Sequence, residues 1–79
     1  MNRNVVEAAV TACLTEVHAR LAKATQIAKA AEACARAGGI AESVQISMEI
    51  EQLAYEAGRL QDAASLLNRL SDVESNPSA

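Results

Sequence analysis

Apolar residues recur along the first half of the chain in alternating steps of four and three residues. The series is Val10, Leu14, Val17, Leu21, Ala24, Ala28, Ala31 and Ala35. This spacing is typical of a heptad seam, along which one helix packs against another. Asn4 can cap the first turn, with Glu7 three residues later completing a capping box. The pattern therefore predicts a helix over about residues 4–37.

Gly38 and Gly39 end this predicted helix, because glycine adopts the left-handed conformation of a helix C-terminus without steric cost. A second series with the same spacing then runs through Ile46, Ile50, Leu53, Ala57, Leu60, Ala64, Leu67 and Ser71. It predicts a second helix over about residues 40–73, followed by a frayed tail at 74–79. We expect an all-α protein with a single helical domain over residues 1–79.

Gly58 lies inside the second series and leaves two interpretations open. The series crosses Gly58 without a change of phase, and one glycine inside a helix costs only ~1 kcal/mol, which favours a continuous helix. The alternative is a break at Gly58 that gives three helices. In a continuous helix, Gly58 would end a column of mostly small residues, where another helix can approach closely; the alternative is a glycine that is merely tolerated or that causes a slight kink. That column is Ser47, Glu51, Ala54 and Gly58.

The two series have the relation expected of an antiparallel hairpin. Residues that face each other across a hairpin have numbers that add to a nearly constant value, and the two seams meet this condition about a midpoint between Gly38 and Gly39. Most opposed pairs combine alanine with a larger aliphatic residue, as in Ala24 with Leu53, which fills a seam without voids. The sequence therefore predicts a two-helix, coiled-coil-like hairpin.

Several apolar residues remain outside both predicted seams. On the first helix they are Val6, Cys13, Ile27 and Cys34. On the second they are Ile40 and the six residues that we expect to bind a partner, namely Val44, Met48, Tyr55, Leu66, Leu70 and Val73. Contiguous exposed apolar surface usually marks an interaction site.

This surface can be covered in three ways. A helix of another protein can cover it, which makes the chain a non-enzymatic binding module or adaptor. A second copy can cover it, which makes an obligate homodimer, a four-helix bundle with a structural or regulatory role. The third alternative is that the hairpin bends and buries these residues itself.

The residue types that carry catalysis or metal binding are sparse. His18 is the only histidine, and no second ligand stands at metal-binding spacing, so we expect no enzyme activity, metal or cofactor. Cys13 and Cys34 would lie about 31 Å apart along one helix, beyond disulfide reach. We expect both to be reduced packing residues, with a cross-link between chains as the alternative.

Charge and hydropathy exclude two further classes of partner. The net charge is −3, and the few basic residues of the first half alternate with glutamates, so no basic face for nucleic acid is expected. No apolar stretch approaches the ~20 residues that span a bilayer. We therefore expect a soluble, cytoplasmic protein.

The C-terminal segment Ser65-Leu66-Leu67-Asn68-Arg69-Leu70 is apolar, and Tyr55 is the only aromatic residue. Together with the short length and the hairpin layout, these features resemble the small co-chaperones of type III secretion needle subunits. The resemblance spans nearly the whole chain. It implies a cytoplasmic complex with a repeat-type chaperone and the needle subunit, in which premature polymerisation is prevented. The candidate partner-binding residues come from the exposed apolar face alone, because no shared motif assigns them.

Overall fold

The computed structural model describes residues 2–75, with side chains through residue 72. Three helices follow one another in this range: α1 (Arg3–Arg36), α2 (Ile40–Ser47) and α3 (Glu49–Ser75). Residues 2–75 contain no β-strand, so the all-α prediction is confirmed. The first two residues of the predicted tail belong to α3, and residues 76–79 lie outside the described range.

α1 begins earlier than the sequence pattern predicted. Asn2 has an extended backbone, and its Oδ1 accepts a hydrogen bond from the Asn4 N–H at 2.7 Å. Glu7 forms an ion pair with Arg3 at 3.5 Å. The capping box at Asn4 was therefore wrong. The cap at Asn2 satisfies the same free amides and also gains a helical hydrogen bond, from the Val6 N–H to the Asn2 carbonyl at 3.0 Å.

The turn after α1 lies where the two glycines predicted it. Gly38 has a φ of 97°, in the left-handed region. Its N–H donates to the Ala35 carbonyl at 3.0 Å, and the Gly39 N–H donates to the Cys34 carbonyl at 2.9 Å. These two bonds make a Schellman motif, which satisfies the last carbonyls of α1. The Ser43 N–H then donates to the Gly39 carbonyl at 2.9 Å, so α2 starts directly after the turn.

The second helical segment is interrupted at Met48 and not at Gly58. Met48 keeps right-handed helical angles, with φ −59° and ψ −30°. Its N–H donates to the Gln45 carbonyl at 3.3 Å, three residues back, which is the spacing of a 3₁₀ turn. α2 and α3 therefore form one long helical segment with a bend between them. α3 continues through Gly58, as the unchanged phase of the apolar series predicted.

The inward side of α1 is rotated from the predicted seam. Val10, Val17, Ala24 and Ala31 lie inward as predicted, and the positions between them are taken by Val6, Cys13, Arg20, Ile27 and Cys34. Leu14 and Leu21 are 48% and 47% exposed, and Ala28 is exposed as well. Two predictions were therefore wrong: that the leucines fill the seam, and that the other apolar residues of α1 lie outside it.

Arg20 occupies one of the inward positions that the sequence pattern did not predict. The predicted and observed seams share every seventh residue and differ by one residue at the positions between, so the inward side is turned by about half of the 100° that separates successive residues. A charge at such a position is costly when buried unless it is paired. Arg20 is paired with two glutamates and remains partly exposed. Its presence in the seam is therefore tolerated, and hydrophobicity alone could not have shown this.

The inward side of α3 matches the predicted series. Leu53, Ala57 and Ala64 are buried, and the residues of the series between Ile50 and Ser71 are buried or half-buried. Ile46 departs from the prediction, because it is 40% exposed while Ser43 is buried in its helix. Ser43 lies seven residues before Ile50 and so continues the phase of the α3 series, whereas Ile46 lies in the last turn of α2, beside the interruption at Met48.

α1 packs against both α2 and α3, and the molecule is elongated, with extents of 62 × 18 × 12 Å. Two ion pairs cross from α1 to α3. Lys23 Nζ lies 3.3 Å from Glu49 Oε2, and Arg20 Nε lies 2.9 Å from Glu56 Oε1. At the end remote from the turn, residues of both helices border one cleft of about 470 Å³. Its lining consists of Arg3, Val6, Glu7, Val10, Thr11, Asn68, Ser71 and Asp72.

Substitution by alanine should have opposite effects on the free energy of unfolding at Gly38 and at Gly58. A Cβ at either position would meet no heavy atom within 4 Å, so only the backbone conformation differs. Gly38→Ala should lower the free energy of unfolding by about 1–2 kcal/mol, because alanine is strained in the left-handed region. Gly58→Ala should raise it by up to ~1 kcal/mol, because alanine favours the helix. Urea unfolding followed by circular dichroism measures both, and equal effects would contradict the assigned turn.

Candidate protein-binding surface

Five of the six apolar residues predicted to bind a partner are exposed on the second helical segment. Val44, Met48, Tyr55, Leu66 and Leu70 each expose between 44% and 66% of their surface. Val73 lies within α3, and its side chain is outside the described part of the chain. Such exposure is unusual for large apolar side chains at regular spacing on one helical segment. That these residues bind a partner remains a prediction.

The exposed residues form two separate clusters. Val44, Met48 and Tyr55 follow one another at spacings of four and seven, so they lie on neighbouring outward positions; we call them the turn-end cluster. Leu66 and Leu70 are one turn apart and form the far-end cluster. Helical rise places Met48 and Leu70 about 33 Å apart. A short partner helix that crosses this segment at a right angle therefore cannot contact both clusters.

The turn-end cluster is bordered by polar side chains. Met48 and Tyr55 line a shallow depression together with Glu51 and Gln52. The carboxylate and the amide lie beside a thioether and a phenol ring, which are two adaptable apolar groups. An apolar centre with a polar rim is the usual composition of a protein-binding surface.

The cross-helix ion pairs distinguish the two broad sides of the helix pair. Glu16, Lys23, Glu49 and Glu56 flank the seam on one side, which we call the charged side. The opposite flanking positions make up the uncharged side. On α1 they are Thr11, Leu14, His18, Leu21, Thr25 and Ala28, and on α3 they are Ala54, Gly58, Gln61, Ser65 and Asn68.

Arg20 is the centre of the charged side. Its Nη1 lies 2.7 Å from Glu16 Oε1, and its Nε donates to Glu56 Oε1 at 2.9 Å. Gln52 Nε2 donates to the other Glu56 oxygen at 2.9 Å. The hydrogen bonds from Gln52 and Arg20 lower the pKa of Glu56, and the hydrogen bonds to Glu16 and Glu56 raise the pKa of Arg20. The groups are partly exposed to water, so the network orients α1 against α3 more than it stabilises the fold.

The lowered pKa of Glu56 predicts a pH dependence. A carboxylate whose pKa is lower in the folded state stabilises the fold above its ordinary pKa of 4.5, and this contribution is lost as the pH falls through the folded value. Wild-type protein should therefore lose more stability between pH 7 and acid pH than Glu56→Gln does. Urea midpoints at the two pH values measure the difference. Glu51→Gln is the control, because it removes a carboxylate from α3 and leaves the Arg20 network intact. An equal loss in wild type and Glu56→Gln would contradict the prediction.

The described residues hold no cluster of three or more histidine, cysteine, aspartate or glutamate side chains suited to a metal ion. His18 is exposed on α1. Cys13 and Cys34 form no disulfide within residues 2–75 and lie half-buried in the seam, which agrees with their predicted role as packing residues. The Cys34 thiol donates to the Gly39 carbonyl at 3.3 Å, so it also closes the turn. Within the same range, no helix has the length and hydropathy to cross a membrane.

The heptad pattern placed Leu14 and Leu21 in the seam and did not predict their exposure. The signal that could have found it is charge. On α1 the uncharged side runs from Thr11 to Ala28 without a charged residue, although it is not the side that α3 covers. A solvated helix face normally carries charges, so the leucines indicate a second surface with a separate use.

Comparisons with protein-family models, with curated proteins and with solved structures found no match to this chain. The similarity to type III secretion co-chaperones therefore remains a prediction from layout and composition.

Proposed function

We propose that this chain is a non-enzymatic protein-binding module, built as an antiparallel, coiled-coil-like hairpin of α1 against the α2–α3 segment. The order of the cross-helix ion pairs supports the hairpin. Lys23, nearer the turn, meets Glu49, and Arg20, farther from it, meets Glu56. The cleft shared by the remote ends of α1 and α3 supports the same direction.

The corrected seam also supports this arrangement. In an antiparallel pair, opposed residues have numbers that add to a constant. The inward residues of α1 and α3 meet this condition with one value along the whole seam, as in Val10 with Leu67 and Val17 with Leu60. The predicted seam needed two alternating values. A single constant is what two regular helices in one register require.

The observation that carries the binding function is the imbalance between buried and exposed apolar residues. Among the described residues only Val6, Ala31, Leu53, Ala57 and Ala64 are buried hydrophobic residues, and three of these are alanines. Larger residues such as Met48 and Tyr55 lie in solvent. A partner that covers them adds the apolar burial that the hairpin lacks, and anything that binds only the folded state stabilises it.

The chemistry of the turn-end cluster specifies the partner. Its spacing suits an amphipathic helix with apolar residues at three- and four-residue intervals. The charged residues of α3 around it are mostly acidic, namely Glu49, Glu51, Glu56 and Asp62, with Arg59 as the exception. The partner helix should therefore carry lysine or arginine beside its apolar stripe, because opposite charges at the rim favour correct association.

The resemblance to co-chaperones of type III secretion needle subunits supplies a biological setting for this proposal. In that setting the chain acts in the cytoplasm, in a complex with a repeat-type chaperone and the needle subunit, and helps to prevent premature polymerisation. A second copy of the chain is the alternative occupant of the same residues, in an obligate four-helix bundle with a structural or regulatory role.

Co-expression with the needle subunit and the repeat-type chaperone of the same source tests the proposal. Wild type should co-purify with them, and Met48→Gln with Leu70→Gln should abolish co-purification with helicity unchanged, because both side chains are solvent-exposed in the free chain. Ala8→Gln with Ala22→Gln is the control, since it adds the same side chains on the outward face of α1 and should retain the complex.

Two outcomes would contradict the proposal. Collapse of helicity in the Met48 and Leu70 double variant would make these residues part of the core. Failure of wild type to bind either protein would remove the secretion assignment.

A further inference from the structure

We propose that two copies of this chain associate through the uncharged side, with α1 antiparallel to α1 of the second copy and α3 antiparallel to α3 of the second copy. The result is a four-helix bundle whose turn-end clusters remain free on its outside. The inference uses a surface that the proposed function does not use, and it does not rest on that function.

Charge is the first argument for a second copy. The chain has a net charge of −3, so two copies repel each other least when their contact surfaces are free of charge. The uncharged side meets this requirement over Thr11–Ala28 of α1 and Ala54–Asn68 of α3. Depletion of charge at the centre is also what distinguishes an interface from ordinary surface.

Shape is the second argument. Leu14 and Leu21 stand about half exposed on α1, and beside them α3 presents Ala54 and Gly58. An added Cβ at Gly58 would meet nothing within 4 Å, so the backbone of α3 faces open space there. One surface thus offers both protruding and recessed positions, which is the requirement for a self-complementary, two-fold interface.

The positions of the leucines locate the two-fold axis. Leu14 and Leu21 lie at equal distances on either side of the midpoint between Val17 and His18. An axis through this midpoint and across the helices sets Leu14 against Leu21 of the second copy. In the antiparallel register, the midpoint between Val17 and His18 lies opposite the stretch of α3 between Gly58 and Gln61. The two copies of α3 therefore approach each other near Gly58.

The charges at the ends of the uncharged side select this axis over the alternative. It brings Glu32 of one copy near Arg3 of the other and Glu7 near Ala28, so opposite charges or neutral residues meet. An axis parallel to the helices would stack α1 on α3 of the copy. Glu7 would then lie near Asp72, so carboxylates would meet at that end.

The surface is large enough for a stable dimer. The broad side of the molecule measures 62 by 18 Å. A standard protein–protein interface buries about 800 Å² on each partner, which fits within this outline. The uncharged side, about 26 Å long by helical rise, forms the centre of such a contact, and the ends of the helices form the rest.

Solution mass is the direct test. Sedimentation equilibrium of the full chain should give twice the 8.3 kDa chain mass, across a range of concentrations. Leu14→Gln with Leu21→Gln should halve that mass. Leu66→Gln with Leu70→Gln is the matched control, since these leucines are as exposed but lie outside the uncharged side, and the variant should remain dimeric. A wild-type monomer at every concentration, or loss of the dimer in the control alone, would overturn the proposal.

Gly58→Glu is a second test, for the case in which the Leu14 and Leu21 double variant fails to fold. Glutamate is a better helix former than glycine and has space at this position, so the helix should be retained or strengthened. The new carboxylate would stand next to its counterpart near the two-fold axis, so the mass should halve while helicity is unchanged. A dimer that survives this substitution would refute the interface.

Cross-linking tests the orientation. In a Cys13→Ser, Cys34→Ser background, His18→Cys should be joined to its counterpart by a short bis-maleimide, because position 18 lies beside the axis. Ala22→Cys, on the outward face of α1, should not be joined. The reverse result would overturn the α1-to-α1 contact.

Met48→Gln with Leu70→Gln should keep the dimer mass, so that failure of partner binding and failure of self-association are distinguishable.

Discussion

A pair of helices can bury only the stripe along which the two touch, and this limit governs the rest of the structure. The seam holds few large residues, because alanines at Ala31, Ala57 and Ala64 occupy much of its buried surface. Small residues let the two helices approach closely, but they remove little apolar area from water. A chain of this length has no second layer to compensate. Its stability therefore depends on the turn, on the register of the seam and on whatever covers the remaining apolar surface.

Arg20 shows how a single polar residue can set the register of such a pair. It occupies a seam position and reaches Glu16 on its own helix and Glu56 on α3. A hydrophobic residue there would tolerate sliding along the seam, whereas a hydrogen-bonded guanidinium has one favourable position. We interpret Arg20 as a device for specificity, comparable to a polar residue at a core position of a coiled coil. With Arg20 in the seam, Leu14 and Leu21 lie on the uncharged side, about half exposed.

As proposed here, the molecule has a separate surface for each of its contacts. The charged side holds the register, the uncharged side suits a second copy, and the turn-end cluster suits a helix of another protein. Because α2 and α3 bend at Met48, the turn-end cluster lies where the helical hydrogen bonding is already interrupted. A bent segment can adjust to a partner at less cost than a regular helix, since fewer regular bonds must change.

The sequence by itself determined the helical class, the turn at Gly38 and the continuity of α3 through Gly58, because these depend on local backbone preference and on periodicity. It also identified the exposed residues of α2 and α3, such as Met48 and Tyr55, because they lie outside a seam whose phase is unambiguous. Only the tertiary structure decided which side of α1 is buried. The observed seam includes Arg20, and its partner Glu56 lies far along the chain and meets it only once the helices pack together.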